Sequence, residues 1–210
     1  IGDIERLTSK ICTNRANPRD IAFLKQSLGK IPHLKSIISD LNVSGLNILN
    51  KKLKILAPLV NLIDSALVEE PSAALGTGNV FKASFSKDLD SYVNAKINGK
   101  NWIASFQEQE RNAFNIPSLK VSFNNVFGYY IEITNAHKKK VPEHYERKQT
   151  LTNSERYTTK ELKEFETKIL NAEEKISELE NELFNELKLK INDFITDLQE
   201  NAYRIAAIDC

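Results

Sequence analysis

From Thr158 onward the apolar residues keep one rhythm. Leu162, Phe165, Ile169, Ala172, Ile176, Leu179 and Leu183 step alternately by three and four positions, which is the heptad seam of a helix that lies against another helix. Thr158-x-x-Glu161 ahead of the seam spells a capping box. The rhythm then relaxes into Leu187, Ile191, Phe194, Leu198, Ala202 and Ile205 without a Pro or Gly. The pattern predicts one helix over residues 158–210, about fifty residues and roughly 75 Å long at about 1.5 Å per residue. Its natural partner is a helix over residues 87–113, capped by Ser86 and striped by Leu89, Tyr92, Val93, Ile97, Ile103 and Phe106, with a weak point at Gly99. The two are expected to run antiparallel.

Upstream, residues 1–70 also read as helices. Asn17-Pro18 is a start signal, Asn as cap and Pro in the first turn, and Ile21, Leu24 and Leu28 follow at helical spacing. Pro32 restarts a short helix carrying Leu34, Ile37 and Ile38. Ser44 caps a longer one with Leu46, Leu49, Leu53, Leu56, Leu59, Val60 and Ile63 on its face, kinked at Pro58. Pro71, Gly76 and Gly78 mark a loop, and Val80-Phe81 a short extended piece. Over residues 116–134 the period changes to two. Leu119, Val121 and Phe123 alternate with polar residues, Asn124-Asn125 supply a turn, and the β-branched and aromatic run Val126–Thr134 follows, which predicts a hairpin. A polar, basic stretch broken by Pro142 leads to the last helix. The fold class is therefore mainly α with a small β insertion: helices over 1–113, a β subdomain over 114–157, and a return helix over 158–210. The order helix, β piece, helix predicts a long antiparallel two-helix arm with the β piece at its tip.

Charge sharpens this picture. The net charge of +1 hides an asymmetry. Residues 120–160 hold eight Lys/Arg against four Glu, whereas residues 161–210 hold six against thirteen Asp/Glu. A basic block on a β piece suggests contact with a polyanion, although a solvated charged face is the plainer account. Hydrophobic residues at 41% and charged residues at 27% argue against a disordered chain. No apolar run is long enough to span a bilayer, and IGDIERL lacks the basic and apolar regions of a signal peptide. Cys12 and Cys210 are then expected as free thiols in a reducing compartment. The absence of Met and the terminal Cys210 read as a piece of a longer protein.

Catalytic constellations are missing. There is no G-x-x-x-x-G-K-[ST] loop and no G-x-G-x-x-G. His33, His137 and His144 have no Cys or carboxylate partner at ligand spacing. The glutamates of the last helix are explained by i,i+4 pairs such as Glu164–Lys168. No cofactor, metal site or enzymatic activity is expected of these residues themselves.

Long motifs in the second half carry a resemblance. Pro117-Ser118-Leu119-Lys120-Val121, Phe127-Gly128-Tyr129-Tyr130-Ile131-Glu132-Ile133-Thr134, Arg147-Lys148-Gln149-Thr150-Leu151, Asn153, Glu155-Arg156-Tyr157 and Glu161-Leu162-Lys163 resemble the clamp of the bacterial MutS-type DNA mismatch-repair family. Arg15-Ala16-Asn17-Pro18-Arg19-Asp20 is similar to the same family's lever region, and Ala172-Glu173-Glu174-Lys175-Ile176 to its return helix. The resemblance covers essentially the whole chain. It implies a helical lever bundle whose two-helix arm carries a β-rich clamp at its tip. It also implies a dimeric parent that encircles duplex DNA, uses ATP and Mg in an ATPase domain absent here, works with a MutL-type partner, and acts in the bacterial cytoplasm at the nucleoid. Family members read mismatches with a Phe-x-Glu element. Phe106-Gln107-Glu108 spells that pattern here, but Phe106 lies on the apolar stripe and reads as core.

Backbone contacts position a protein on DNA without specifying sequence, which suits a clamp that slides. The candidate DNA-backbone residues are Asn124, Lys138, Lys139, Lys140, Arg147, Lys148, Thr152, Asn153 and Arg156. Lys and Arg supply charge, and Asn and Thr short donors. Relatives often carry Lys where Thr152 stands, which weakens that contact here. Arg156 alternatively pairs with Glu132 or Glu155, and Phe127, Tyr129 and Tyr130 read as clamp core rather than stacking platforms. The competing function is a structural coiled-coil arm for protein–protein interaction, supported by the seam and the acidic return helix and opposed by the basic β piece.

Overall fold

The computed structural model describes residues 2–41 and 43–209, and the terminal Cys210 lies outside them. In chain order the elements are α1 (Ile4–Cys12), α2 (Pro18–Gly29), α3 (Ile31–Leu41), α4 (Ser44–Lys52), α5 (Ala57–Ala66), α6 (Lys87–Phe114), β1 (Lys120–Asn124), β2 (Gly128–Thr134), a 3-10 helix (Asn135–Lys140), β3 (Glu146–Thr150), β4 (Ser154–Thr158), α7 (Lys160–Asn192) and α8 (Ile195–Asp209). The chain divides into two units, residues 1–89 with 176–210, and residues 90–175.

In the first unit, local polar chemistry starts the helices. Asp3 opens α1 by accepting from the Arg6 amide at 2.8 Å. At Asn17-Pro18 the expected cap is reciprocal. Asn17 accepts from the Asp20 amide, and the Asp20 carboxylate accepts from the Asn17 amide, both at 3.0 Å, so two amides that α2 cannot satisfy internally are covered. Burial makes ionisation of Asp20 harder, but the Lys10 ammonium at 2.8 Å and the Asn17 amide outweigh it and hold the carboxyl below its usual range. Ile21, Leu24, Leu28, Ile31, Ile38, Leu59, Ile63 and Leu67 form a buried core with Ile4, Leu7, Ile11 and Leu198.

The helix expected from Ser44 through Ile63 is two helices. Leu53 is extended, with ψ of 125°, and Pro58 sits in the first turn of α5. In a continuous helix its ring would strike the carbonyl four residues back and remove an amide; in a first turn neither cost arises. The opened backbone is covered by side chains: Asn201 accepts from the Lys54 amide and donates to the Lys54 carbonyl, both at 2.9 Å. The loop expected after Pro71 is held the same way. Leu67 bridges Phe81, and the fully buried Glu180 accepts from the Gly76 and Thr77 amides at 2.5 and 3.0 Å.

The single helix expected over 158–210 also differs. α7 ends at Asn192 and α8 begins at Ile195, with the Phe194 amide turned back to the Ile191 carbonyl at 3.0 Å. Asn192 and Asp193 mark the break, short polar side chains that compete with the helical ladder. The cap of α7 is Thr159, whose hydroxyl accepts from the Leu162 amide at 3.1 Å, while Thr158 belongs to β4.

In the second unit the expected antiparallel helix pair is present over its own residues. Trp102 of α6 stacks on Phe165 of α7 with ring centroids 3.6 Å apart, and Lys96 pairs with Glu173 at 3.2 Å. Between them a Cβ built on Gly99 would lie 2.5 Å from Cγ1 of the buried Ile169, so the weak point of the sequence is a place of close helix approach. Ile97, expected on the stripe, is 49% exposed. The stripe runs instead through Gly99, Trp102, Ile103 and Phe106. Of the seam, Leu162, Ile169 and Ala172 are buried here. From Ile176 onward the buried positions of α7 are Ile176, Glu180, Phe184, Leu187 and Ile191 in the first unit, and Leu179 and Leu183 are only half-buried.

The β piece is a four-stranded antiparallel sheet in the order β1-β2-β4-β3. The first hairpin is the expected one, with Val121 opposite Ile131 and Phe123 opposite Tyr129. Gly128 completes its turn at φ +71°, the left-handed region that a Cβ disfavours. The second hairpin, ERKQT with SERYT, is one that its polar residues do not predict. Ile131, Ile133, Tyr145 and Tyr157 pack with Phe106, Ile116, Leu119 and Leu162 into one core. Phe106 is 4% exposed, and Gln107 accepts from the Val121 amide at 2.8 Å, so the Phe-x-Glu triplet serves this core.

Candidate nucleic-acid interface

The sheet register sorts the candidate residues. Residues directly opposite across strands share a face. Ile131, Tyr157 and Arg147 therefore lie on the face that packs against the helices, and Glu132, Arg156 and Gln149 on the other. Ile133 and Glu155 are also opposite one another, which places a carboxylate among apolar neighbours at the edge of the core.

That carboxylate is 3% exposed and fully engaged. Lys138 of the 3-10 helix donates to Glu155 Oε1 at 2.7 Å, Arg147 Nη1 of β3 stands 3.8 Å from the same oxygen, and the Tyr157 hydroxyl donates to Oε2. Lys138 foremost, then the Tyr157 hydroxyl, holds the Glu155 carboxyl below its usual range. Burial, reinforced by Glu155, pushes Tyr157 up to about 12. The two cationic side chains stay open to solvent, Lys138 at 57% and Arg147 at 61%.

The β3–β4 turn is tied to the same place. Asn135, first residue of the 3-10 helix, donates from its amide to the Asn153 carbonyl and from its side chain to the Thr152 carbonyl, both at 3.0 Å. This leaves the Thr152 and Asn153 side chains exposed. Lys139 is exposed, and Lys140 donates to the Asn115 carbonyl at 2.8 Å. Lys138 and Arg147 thus meet at Glu155, and the 3-10 helix that carries Lys138, Lys139 and Lys140 is tied through Asn135 to the Thr152–Asn153 turn.

Three candidates do not join it. Lys148 sits at the bulge where the β3–β4 register shifts, and its ammonium donates to the Phe127 carbonyl at 2.6 Å, bracing the β1–β2 turn. Asn124 folds onto its own turn, accepting from the Val126 amide at 2.8 Å. Arg156 is on the opposite face, held by Glu132 at 3.2 Å and Gln149 at 2.9 Å, with its guanidinium 4.3 Å from the centroid of the Tyr130 ring. Of the two carboxylates open to Arg156 in the sequence, Glu132 is therefore its partner. Tyr130 is 7% exposed beneath it.

Sequence reasoning missed the role of Glu155. The signal was present in Ser154-Glu155-Arg156-Tyr157: strand alternation puts Glu155 on the face of the core tyrosine. Without the second hairpin that inference was closed.

Three further facts bear on the chemistry available. Tyr145 donates to Glu110, and its hydroxyl is pushed well above the usual range by burial and by that carboxylate. His137 Nδ1 lies 3.0 Å from the Ser118 hydroxyl. No helix among the described residues is long and apolar enough to cross a membrane.

Residues 84–175 match the profile of MutS family domain IV. The whole chain is 46% identical over 210 residues to the DNA mismatch repair protein MutS of Salinibacter ruber, covering 23% of that relative. It is 44% identical over 211 residues to the DNA mismatch repair protein MutS of Clostridium kluyveri, covering 24% of it, and 44% identical to that of Clostridium botulinum, covering 23%. The chain spans about a quarter of the length of the curated relatives it matches.

Proposed function

The chain belongs to the MutS family, and from that premise we propose that residues 90–175 bind duplex DNA along its phosphate backbone without reading base sequence. The observation that carries this reading is the pair of exposed cations Lys138 and Arg147 that meet at Glu155, on a 3-10 helix that also carries exposed Lys139 and Lys140, and on a strand, β3, respectively. That 3-10 helix is tied through Asn135 to the exposed Thr152–Asn153 turn, and all of these residues lie inside the segment that matches the family profile. Lys and Arg at one surface release counterions from DNA and supply affinity, while hydroxyl and amide donors fix register. Asn124, Lys148 and Arg156 serve this surface from within: they brace the turn, the bulge and the opposite sheet face. A surface that grips phosphates alone lets a protein move along DNA.

The remaining helices are the lever in this proposal, coupling the DNA surface mechanically to an ATPase domain of a longer parent. The parent would be a DNA-dependent ATPase using ATP and Mg. It would act as a homodimer with a MutL-type partner in the bacterial cytoplasm, at the nucleoid during repair. In this proposal the 210 residues supply the DNA surface and the lever, and catalysis belongs to the parent's ATPase domain.

The test is fluorescence anisotropy of a labelled random duplex titrated with the chain at two salt concentrations. Neutralising about three phosphates gives a slope near −2.7 in log affinity against log salt, a loss of around 40-fold between roughly 50 and 200 mM. Matched and mismatched duplexes bind alike. Lys190→Ala, on α7 outside the cluster, leaves the slope unchanged. A flat salt response, or equal sensitivity to Lys190→Ala and Arg147→Ala, refutes the assignment and favours the protein-docking arm.

A further inference from the structure

The backbone-binding reading, on which the inference below depends, counts Lys138 and Arg147 as two separate contacts. Their geometry joins them. Lys138 Nζ and Arg147 Nη1 approach the same oxygen, Glu155 Oε1, at 2.7 and 3.8 Å, so the two nitrogens are closer to each other than those distances combined. They come from different elements, a 3-10 helix and a strand, and the carboxylate between them is the contact they share. Glu155 lies beneath them and is itself inaccessible; it cannot meet a ligand, but it sets where the ligand's partners stand. Its second oxygen is fixed by Tyr157, so the anchor does not swing. Arg has five donors and Lys three, which leaves both head groups with N–H bonds to spare, directed away from the core.

We propose that Lys138 and Arg147 form a two-cation cradle for a single backbone phosphate, and that Glu155 is its positioning residue. A phosphodiester offers two non-bridging oxygens, one for each cation. Without the carboxylate, two like charges at this spacing repel and two rotamer-rich side chains disperse, a cost the complex must then meet on binding. The cluster keeps a net charge of +1, which suits one phosphate and not two.

Counterion release distinguishes this from independent contacts, because the salt slope counts phosphates and not cations. The 210-residue chain is titrated into a labelled duplex across salt as Lys138→Ala, Arg147→Ala and the double variant, each alone and combined with Glu155→Gln. With one shared phosphate, each single change lowers the slope by less than half a unit, and the double change lowers it by about 0.9, or about 3.5-fold less affinity lost over a fourfold salt increase. In the Glu155→Gln background, which keeps size and one acceptor oxygen but removes the charge, the two cations no longer act together and their effects on affinity become additive. Glu155→Asp, which retains the charge, preserves the coupling and shows that loss of folding is not its cause. Single changes that each remove about 0.9 would mean two phosphates and overturn the cradle. Coupling that survives in Glu155→Gln would overturn the role of Glu155. A double variant that binds like the parent chain would overturn both. If the unaltered chain shows no salt-dependent binding, the DNA reading falls first and this inference falls with it.

Discussion

Replacing Gly99 by Ala sets two effects against each other at one well-defined contact. In an exposed helix the change stabilises by about 1 kcal/mol, because alanine loses less backbone freedom on folding. Gly99 is buried, however, and the added methyl would stand 2.5 Å from Cγ1 and 3.0 Å from Cδ1 of Ile169. Those atoms belong to a β-branched side chain that is 1% exposed and cannot swing away. Overpacking of this kind costs about 1–3 kcal/mol, so the expected net effect is a destabilisation of up to about 2 kcal/mol. Ile169→Ala alone removes the obstacle and leaves a void, at about 2–5 kcal/mol. The double variant should be more stable than Ile169→Ala by roughly the 1 kcal/mol of helix propensity, since the new methyl enters space already vacated. The assay is urea unfolding followed by tryptophan fluorescence. Trp102 is the only tryptophan, one turn from Gly99 and stacked on Phe165, so the signal reports this helix pair. If Gly99→Ala raises stability by the full propensity gain, the helices do not approach closely at Gly99 and the packing argument is wrong.

Gly128→Ala forces a Cβ into the left-handed region at φ +71° and should cost roughly 1–2 kcal/mol by the same fluorescence melt, with Gly128→Asn tolerated better than Gly128→Val. Lys148→Ala leaves the Phe127 carbonyl without its partner and should destabilise by about 1–3 kcal/mol, while changing the DNA salt slope less than the Lys138/Arg147 double variant does. Asp20 has a lowered pKa, so its stabilising contribution is present above the usual aspartate range and fades as pH falls through the lowered value; circular-dichroism melts from about pH 7 to about pH 3 should show that decline, and Asp20→Asn should blunt it. Equilibrium dialysis against ATP should detect no stoichiometric binding to the 210-residue chain, given the absence of a phosphate-binding loop.

Local chemistry was the legible part of the fold. Asn17-Pro18, the Ser86 cap, the Leu67–Phe81 loop and the first hairpin all follow from which groups a short segment can satisfy by itself. What failed depended on distant partners. Periodicity carries the α4 pattern on through a kink at Pro58, whereas the backbone opens before it, at Lys54, where Asn201 from far along the chain covers the amide and carbonyl. The seam matches burial at Leu162, Ile169, Ala172 and Ile176 and fails at Leu179 and Leu183. Beyond Ile176 burial moves to Phe184 and to a carboxylate, Glu180, that no hydrophobic pattern would select. Ile97 illustrates the converse: an apolar residue at helical spacing is not thereby buried, because Gly99 brings the helix face round to a different line.

The candidate site was legible as a charge and illegible as an arrangement. A count over residues 120–160 finds eight cations, but cations differ in what they are free to do. Lys148 and Arg156 meet backbone and side-chain acceptors inside the unit and are only part-exposed. Lys138 and Arg147 also meet an acceptor, yet it lies beneath them, and their outward surface remains open. The difference rests on the second hairpin, whose polar strands hide it from any hydrophobic alternation and whose bulge turns Lys148 away from its neighbours. Burial of one carboxylate opposite Ile133 then decides which cations stand together. In the proposed reading a basic segment becomes a phosphate-binding surface through an acidic residue, and the sign of that residue's charge would have counted against it in any tally made from composition.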